Sequence, residues 1–169
     1  MSWIFIAAGV THASVLASSV PLAYHCCLTS KHEAIRACRI EDVSLVLDLW
    51  ERARSEHAST PDRPEDLKRL VLRSPGALLL AESDRGVSGV LIAAWDGWRG
   101  NLYRLAVHPE HRRDGIGRAL VRAGEEHLRN QGASRVTALV AYDDPVAAAF
   151  WDSVGYPQDP QIGRRVRGI

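Results

Sequence analysis

Leu105-Ala106-Val107-His108-Pro109-Glu110-His111-Arg112-Arg113-Asp114-Gly115-Ile116-Gly117-Arg118-Ala119-Leu120-Val121 is the core of a longer stretch, Asn101 to Arg129, that decides the fold. It opens with the apolar run Leu102 to Val107, the length and composition of a buried strand. His108-Pro109 ends that strand, because proline has no N–H for a ladder. A basic turn follows, from Arg112 to Arg118. Ile116, Ala119, Leu120, Ala123 and His127 or Leu128 then recur at helix spacing, with Arg118, Arg122, Glu125, Glu126 and Arg129 between them. The order is strand, glycine-containing turn, helix.

That order suits an anion. The first N–H groups of a helix have no partner inside it, and the helix dipole adds partial positive charge there. Gly115 and Gly117 carry no side chain to hold a ligand away, and Arg112 and Arg113 add charge. The combination fits a pyrophosphate. It lacks the Gly-Lys-Ser/Thr end of a nucleotide-binding P-loop and the first glycine of the dinucleotide fingerprint. Glycines that start a helix and arginines that solvate it are the plainer account of the same residues.

The block from Leu105 to Val121 resembles the acyl-CoA signature of the GCN5-related N-acetyltransferase (GNAT) superfamily. The family pattern Arg/Gln-x-x-Gly-x-Gly/Ala is met by Arg112, Gly115 and Gly117, and the strand context before it also matches. The likeness runs from about Ile35 to the C-terminus. It implies an α/β (α+β) GNAT fold: a mixed, mostly antiparallel sheet of six to seven strands, about four helices, and a splay between strands four and five. The implied domain spans residues 34–169, with residues 1–33 as an N-terminal extension. The turn Asp96-Gly97-Trp98-Arg99-Gly100 is similar to a bacterial acetyltransferase subgroup carrying Asp-Gly-x-Arg-Gly, whose acceptors are mostly undefined. Trp98 and Arg99 fit either an acceptor or subunit contact or a bland turn.

Composition reads as an ordinary soluble globular protein. The chain has 169 residues, 46% hydrophobic and 24% charged, which suffices for one cored domain. A net charge of +1 provides no global field for nucleic acid. Cys26, Cys27 and Cys38 form no zinc spacing and no disulfide framework, so a reducing cytoplasm is the expected compartment. Residues 1–28 contain no Asp, Glu, Lys or Arg, and Trp3 to Val10 is apolar. No basic region precedes Trp3, as a signal peptide would require, and polar residues interrupt any ~20-residue span. An appended tail is the first expectation, a packed segment the second and an anchor the last.

The rest of the chain supplies the other elements. Ile35 to Ile40 reads as strand one. Glu41-Asp42 sits at a helix start, and Val43, Val46, Leu47, Trp50 and Ala53 share that helix's apolar face. Arg54 to Pro64 reads as a loop, followed by a short helix from Glu65 to Leu72. Ala77–Glu82, Val87–Trp95, Asn101–His108 and Ser134–Tyr142 read as strands two to five, with a hairpin at Asp96-Gly97. Asp144 and Pro145 start a last helix, with Val146, Ala149, Phe150 and Val154 as its buried face. Ile162 to Ile169 can supply one or two further strands.

The resemblance also assigns chemistry. The pantetheine arm of acetyl-CoA would lie in the splay, held by backbone groups of Leu105, Ala106 and Val107. The turn Arg112, Arg113, Asp114, Gly115, Ile116, Gly117 and Arg118 would hold the pyrophosphate. An amine, small molecule or protein, would attack the thioester directly in a ternary complex. A non-catalytic acyl-CoA-binding module is the alternative. No metal, nucleic acid or membrane is implied, and a homodimer is an option because the superfamily often dimerises.

Three positions depart from the family pattern. Asp144 stands where relatives often carry an asparagine that touches the cofactor arm. Trp151 stands where a tyrosine often acts as acid; an indole N–H hydrogen-bonds but supplies no useful proton. Leu139 stands where some relatives that acetylate protein N-termini carry a glutamate base. Tyr142 and Tyr156 are the substitute acids by position, Glu82 is the nearest conceivable base, and Tyr103 could relay through water. Glu56, His57 and Asp62 are flagged because the connection between the first two helices helps to form the acceptor site in this superfamily.

Overall fold

The computed structural model describes residues 34–53, 61–141, 143–163, 165 and 167. Residues 1–33, together with Glu56, His57 and Tyr142, lie outside the described residues. Five strands and four helices follow in the order β1 (Ala34–Ala37), α1 (Val43–Ala53), α2 (Pro64–Arg73), β2 (Leu78–Ser83), β3 (Gly86–Trp95), β4 (Gly100–Val107), α3 (Ile116–Asn130), β5 (Val136–Ala138) and α4 (Pro145–Ser153). The sheet order is β1-β2-β3-β4-β5, antiparallel throughout except for the parallel pair β4–β5. No helix among the described residues is long and apolar enough to cross a membrane.

The sheet has a hydrophobic layer on each face. Leu78, Leu80, Val90 and Ile92 pack with Val46, Leu49, Trp50 and Leu67 of α1 and α2. Leu79, Ala81, Leu91 and Leu102 pack with Ile116, Leu120 and Leu128 of α3 and with Trp151 of α4. This explains why Ala77 to Ala81 is an unbroken apolar run: a strand covered on both faces has no solvent side. Each buried leucine contributes on the order of 1.5–3 kcal/mol.

Four expectations need correction. The first strand stops at Ala37. A single turn over Ile40–Asp42 intervenes before α1, because the Asp42 carboxylate accepts the Arg39 N–H at 2.8 Å and curls the chain. On α1 Leu49 joins the buried set, and Leu47 is only part-buried against the same core. On α4 the buried residue is Trp151, and Val146 is exposed, because Trp151 packs edge-on against Phe150 and Tyr156. The described residues form five strands, where six to seven were expected. The segment after α4 carries Pro157 and Pro160, which offer no ladder donors. It turns on itself instead, with Asp159 accepting from the Gln161 and Ile162 N–H groups.

The fifth strand is also shorter than expected, and this creates the splay. Pairing between β4 and β5 covers Gly100–Val136, Asn101–Thr137 and Leu102–Ala138 only. β4 continues to Val107, while Leu139 and Val140 are exposed. The two strands therefore diverge beyond Leu102.

Candidate functional site

The backbone of β4 changes sides along its length. Gly100 donates to the Arg135 carbonyl at 2.9 Å, and the Leu102 carbonyl accepts from Leu139 N–H at 2.9 Å, so Gly100 and Leu102 face β5. At the far end, His108 donates to the Ser88 carbonyl at 2.8 Å, on the other side. Peptide groups alternate along a strand, so Ala106 faces β3 while Leu105 and Val107 face the gap. The switch from even to odd positions falls at Arg104, which has φ 55°. It lies opposite a register shift in β3 between Val90 and Ile92. This is a β-bulge, which re-aims the residues beside it.

The bulge also sets the side chains. Tyr103 and Ala106 pack on the α1–α2 layer, while Leu105 and Val107 pack on the α3–α4 layer. Arg104 joins Tyr103 on the α1–α2 side. Its guanidinium carbon lies 5.0 Å from the Trp50 ring centroid, and its Nη2 forms an ion pair with Asp62. Burial pushes the Tyr103 hydroxyl pKa up. The Trp50 indole N–H is buried and has no hydrogen-bond partner among the described residues.

β4 leads into the basic turn. A short helical turn over Pro109–His111 is followed by extended Arg112, then by Arg113 at φ 75° and Gly115 at φ 85° and ψ −2°. Among the described residues, no hydrogen bond is made by the backbone N–H groups of Arg113 through Arg118; the Ala119 N–H is the first to bond back, to Gly115 at 3.0 Å. Left-handed residues interleaved with helical ones turn successive N–H groups towards one concavity, an anion-binding nest. The side chains of Arg112, Arg113 and Asp114 are exposed around it.

The glycines and flanking residues divide the work differently from the expectation. Gly115 supplies the left-handed conformation. At Gly117 an added Cβ would lie 3.2 Å from the Cε2 and Cζ atoms of Phe150, so this glycine lets α4 approach α3. Ile116 presents only its backbone to the turn, since its side chain is in the core. The Arg118 guanidinium reaches away, donating to the Ser153 carbonyl at 3.1 Å. The structure therefore joins α3 to α4 through Arg118 and leaves Arg112 and Arg113 as the cations beside the nest.

The remaining predicted residues do structural work. Asp144 caps α4, accepting the Ala147 N–H at 2.9 Å. Trp151 is a core residue. The Tyr156 hydroxyl donates to Glu125 at 2.9 Å, and burial together with that bond drives its pKa far above the usual range. Glu82 accepts from Arg36 Nε at 2.6 Å, and Arg36 also grips Asp42 at 2.6 and 3.0 Å. β3 lies between Glu82 and the strand that borders the gap. Leu139 is a surface residue just past the last β4–β5 pair. A cavity of about 750 Å³ lies between β5, α3, α4 and the tail, lined by Val136, Ala138, Trp151 and Tyr156 among others; residues 105–118 do not line it.

Sequence reasoning missed the positive φ of Arg104 and Arg113 and the Arg36–Asp42–Glu82 cluster. A non-glycine residue at positive φ carries no local signal, and an ion pair between strands depends on register.

The family model of the acetyltransferase (GNAT) family matches residues 43–156. Among solved structures, Ard1 from Thermoplasma volcanium is 21% identical with a TM-score of 0.64, over 73% of this chain and 81% of that one. A PaiA N-acetyltransferase from Thermoplasma acidophilum, in complex with coenzyme A, is 20% identical with a TM-score of 0.65, over 73% and 88%. An aminoglycoside acetyltransferase from an uncultured soil metagenomic sample, in complex with trehalose, is 19% identical with a TM-score of 0.63, over 81% and 96%.

Proposed function

Because the chain belongs to the acetyltransferase (GNAT) family, we propose that it is an N-acetyltransferase that moves the acetyl group of acetyl-CoA to a primary amine. The observation that carries this is the run of unbonded N–H groups from Arg113 to Arg118, continuous with the gap-facing backbone of Leu105 and Val107. The diphosphate of acetyl-CoA would take the nest, with Arg112 and Arg113 beside it. The pantetheine arm would pair with the open side of β4, and the thioester carbonyl would accept from a β4 amide. A preorganised donor of that kind lowers a barrier by roughly 2.7–4 kcal/mol where one has been removed elsewhere.

In the reaction the amine nitrogen attacks the thioester carbon, the C–S bond breaks, and CoA leaves as a thiolate that takes up a proton. Holding the two reactants together supplies much of the rate. The amine must first lose its proton. Water reaching the open gap is the base in this scheme, since Glu82 is committed to Arg36. Tyr142 is the candidate acid. The aminoglycoside acetyltransferase among the structural neighbours supports a small-molecule amine. A protein amine is the other acceptor class, the cytoplasm is the expected compartment, and a homodimer is one option for its assembly.

The commitment of Tyr156 to Glu125 favours one other reading, a non-catalytic acyl-CoA-binding module. Thiol release from acetyl-CoA with a panel of primary amines separates the two. The test of the site itself is calorimetric titration with acetyl-CoA, beside an Arg112→Glu/Arg113→Glu variant. Both side chains are exposed, so the variant keeps its fold. Micromolar binding lost in the variant supports the function; equal binding in both removes its basis.

A further inference from the structure

Arg104 is an arginine held at φ 55°, in a left-handed conformation that favours glycine. Such a conformation is strained and persists only where the surroundings hold it. Among the described residues, Asp62 and Trp50 hold this one. Asp62, in the segment before α2, pairs with the guanidinium, and the Trp50 ring of α1 lies against it. All three side chains are largely buried. The pair joins residues 42 apart in sequence. The backbone consequence is equally specific: at Arg104 the amides on that side of the strand change from Gly100 and Leu102, which face β5, to Leu105 and Val107, which face the gap.

From these two facts we infer that Arg104 is a positioning residue for acetyl transfer. Its anchorage on Asp62 and Trp50 holds the β4 bulge in the conformation that aims the Leu105 and Val107 amides into the gap. The inference rests on the acetyl-CoA function proposed above and deepens it. Arg104 acts through the backbone next to it, not on the substrate. Without the anchor, the left-handed residue relaxes towards ordinary strand geometry and the two amides turn away from the thioester. The remote pyrophosphate nest, at the other end of the turn, is unaffected.

The nest and the bulge can therefore be tested separately. The probe is acetyl-CoA labelled with ¹³C at the carbonyl, read by isotope-edited infrared spectroscopy, with unlabelled CoA as the binding control. The wild-type chain should lower the bound carbonyl stretch. Arg104→Ala and Asp62→Ala should still bind CoA through the nest and lose that lowering, whereas Arg104→Gly should keep most of it. Glycine accepts the left-handed conformation without strain, so Arg104→Gly separates the anchor from the conformation alone. Arg104→Lys, which keeps a cation for Asp62, should restore part of the lowering. With any amine that supports turnover, kcat of Arg104→Ala and Asp62→Ala should fall by about 10- to 100-fold while the KM for acetyl-CoA holds, as small misplacements of reacting groups do. The double variant Arg104→Ala/Asp62→Ala should be no worse than either single one. Asp62→Ala leaves β4 untouched, so it carries the test if Arg104→Ala fails to fold. Arg104→Ala and Asp62→Ala chains that bind acetyl-CoA and keep the wild-type carbonyl frequency overturn this inference alone. A folded wild type that does not bind acetyl-CoA overturns the proposed function and this inference with it.

Discussion

Replacing Gly115 by alanine should weaken both the fold and the cofactor site, and the structure separates the two effects. Gly115 has φ 85°, and a Cβ placed there meets nothing within 4 Å. The cost is therefore conformational and not steric, about 1–2 kcal/mol for an alanine in the left-handed region. Gly132, just past the C-terminal end of the same helix, supplies the control: it has φ 100° and again nothing within 4 Å of an added Cβ. Gly132→Ala should lower the unfolding free energy by that amount, read as a shift of the urea midpoint at constant slope, and Gly115→Ala by less, because the Gly132 turn is held by the Gly132 and Ala133 N–H bonds to Arg129 and Leu128 while the unbonded turn at Gly115 can flatten. Only Gly115 borders the unbonded N–H groups. If the free variant relieves strain by flattening its turn, acetyl-CoA must restore the turn at that same cost. An increase in Kd of about 5- to 30-fold follows for Gly115→Ala, and none for Gly132→Ala. Equal affinities in both variants, with Gly115→Ala the less destabilised of the two, would refute the assignment of the Arg113–Arg118 amides as the anion site.

Two further outcomes follow from groups placed by the tertiary structure. Asp42 has its carboxylate pKa held below the ordinary range, first by Arg36 and then by the Arg39 N–H. Its stabilisation is present above the unfolded value near 3.9 and is lost as pH falls through the folded value. Asp42→Asn should be less stable at pH 7 and show a shallower acid loss in urea titrations below about pH 4; parallel acid profiles would contradict the pairing. Tyr156→Phe should cost about 1 kcal/mol by losing one hydrogen bond to Glu125, and should leave acetyl transfer at the wild-type rate. A large loss of turnover there would identify Tyr156 as the acid.

What the sequence determined by itself is local. The strand–turn–helix of residues 101–129 was legible because its signals are neighbours: an apolar run, a proline stop, a glycine and a helical repeat. The Asp144-Pro145 helix start and the turn at Asp96, whose side chain accepts the Trp98 and Arg99 N–H groups at 2.8 and 2.6 Å, were legible for the same reason. Each depends on hydrogen bonds within three residues.

Tertiary structure decided which of those residues are available for chemistry. Asp144, read both as a cofactor contact and as a helix start, caps α4, and Gly117, read as ligand clearance, also makes room for Phe150. Glu82 and Tyr156 looked like a base and a substitute acid, yet Arg36 and Glu125 occupy them from 46 and 31 residues away. The left-handed turn of Arg104 has no local signature, because it is held by Asp62, 42 residues earlier, and by Trp50 on α1. A side chain's chemistry is set by its nearest neighbours in space. In a sheet, strand register and bulges choose those neighbours, so the acetyl-CoA block could be read from sequence while the fate of each polar group around it could not.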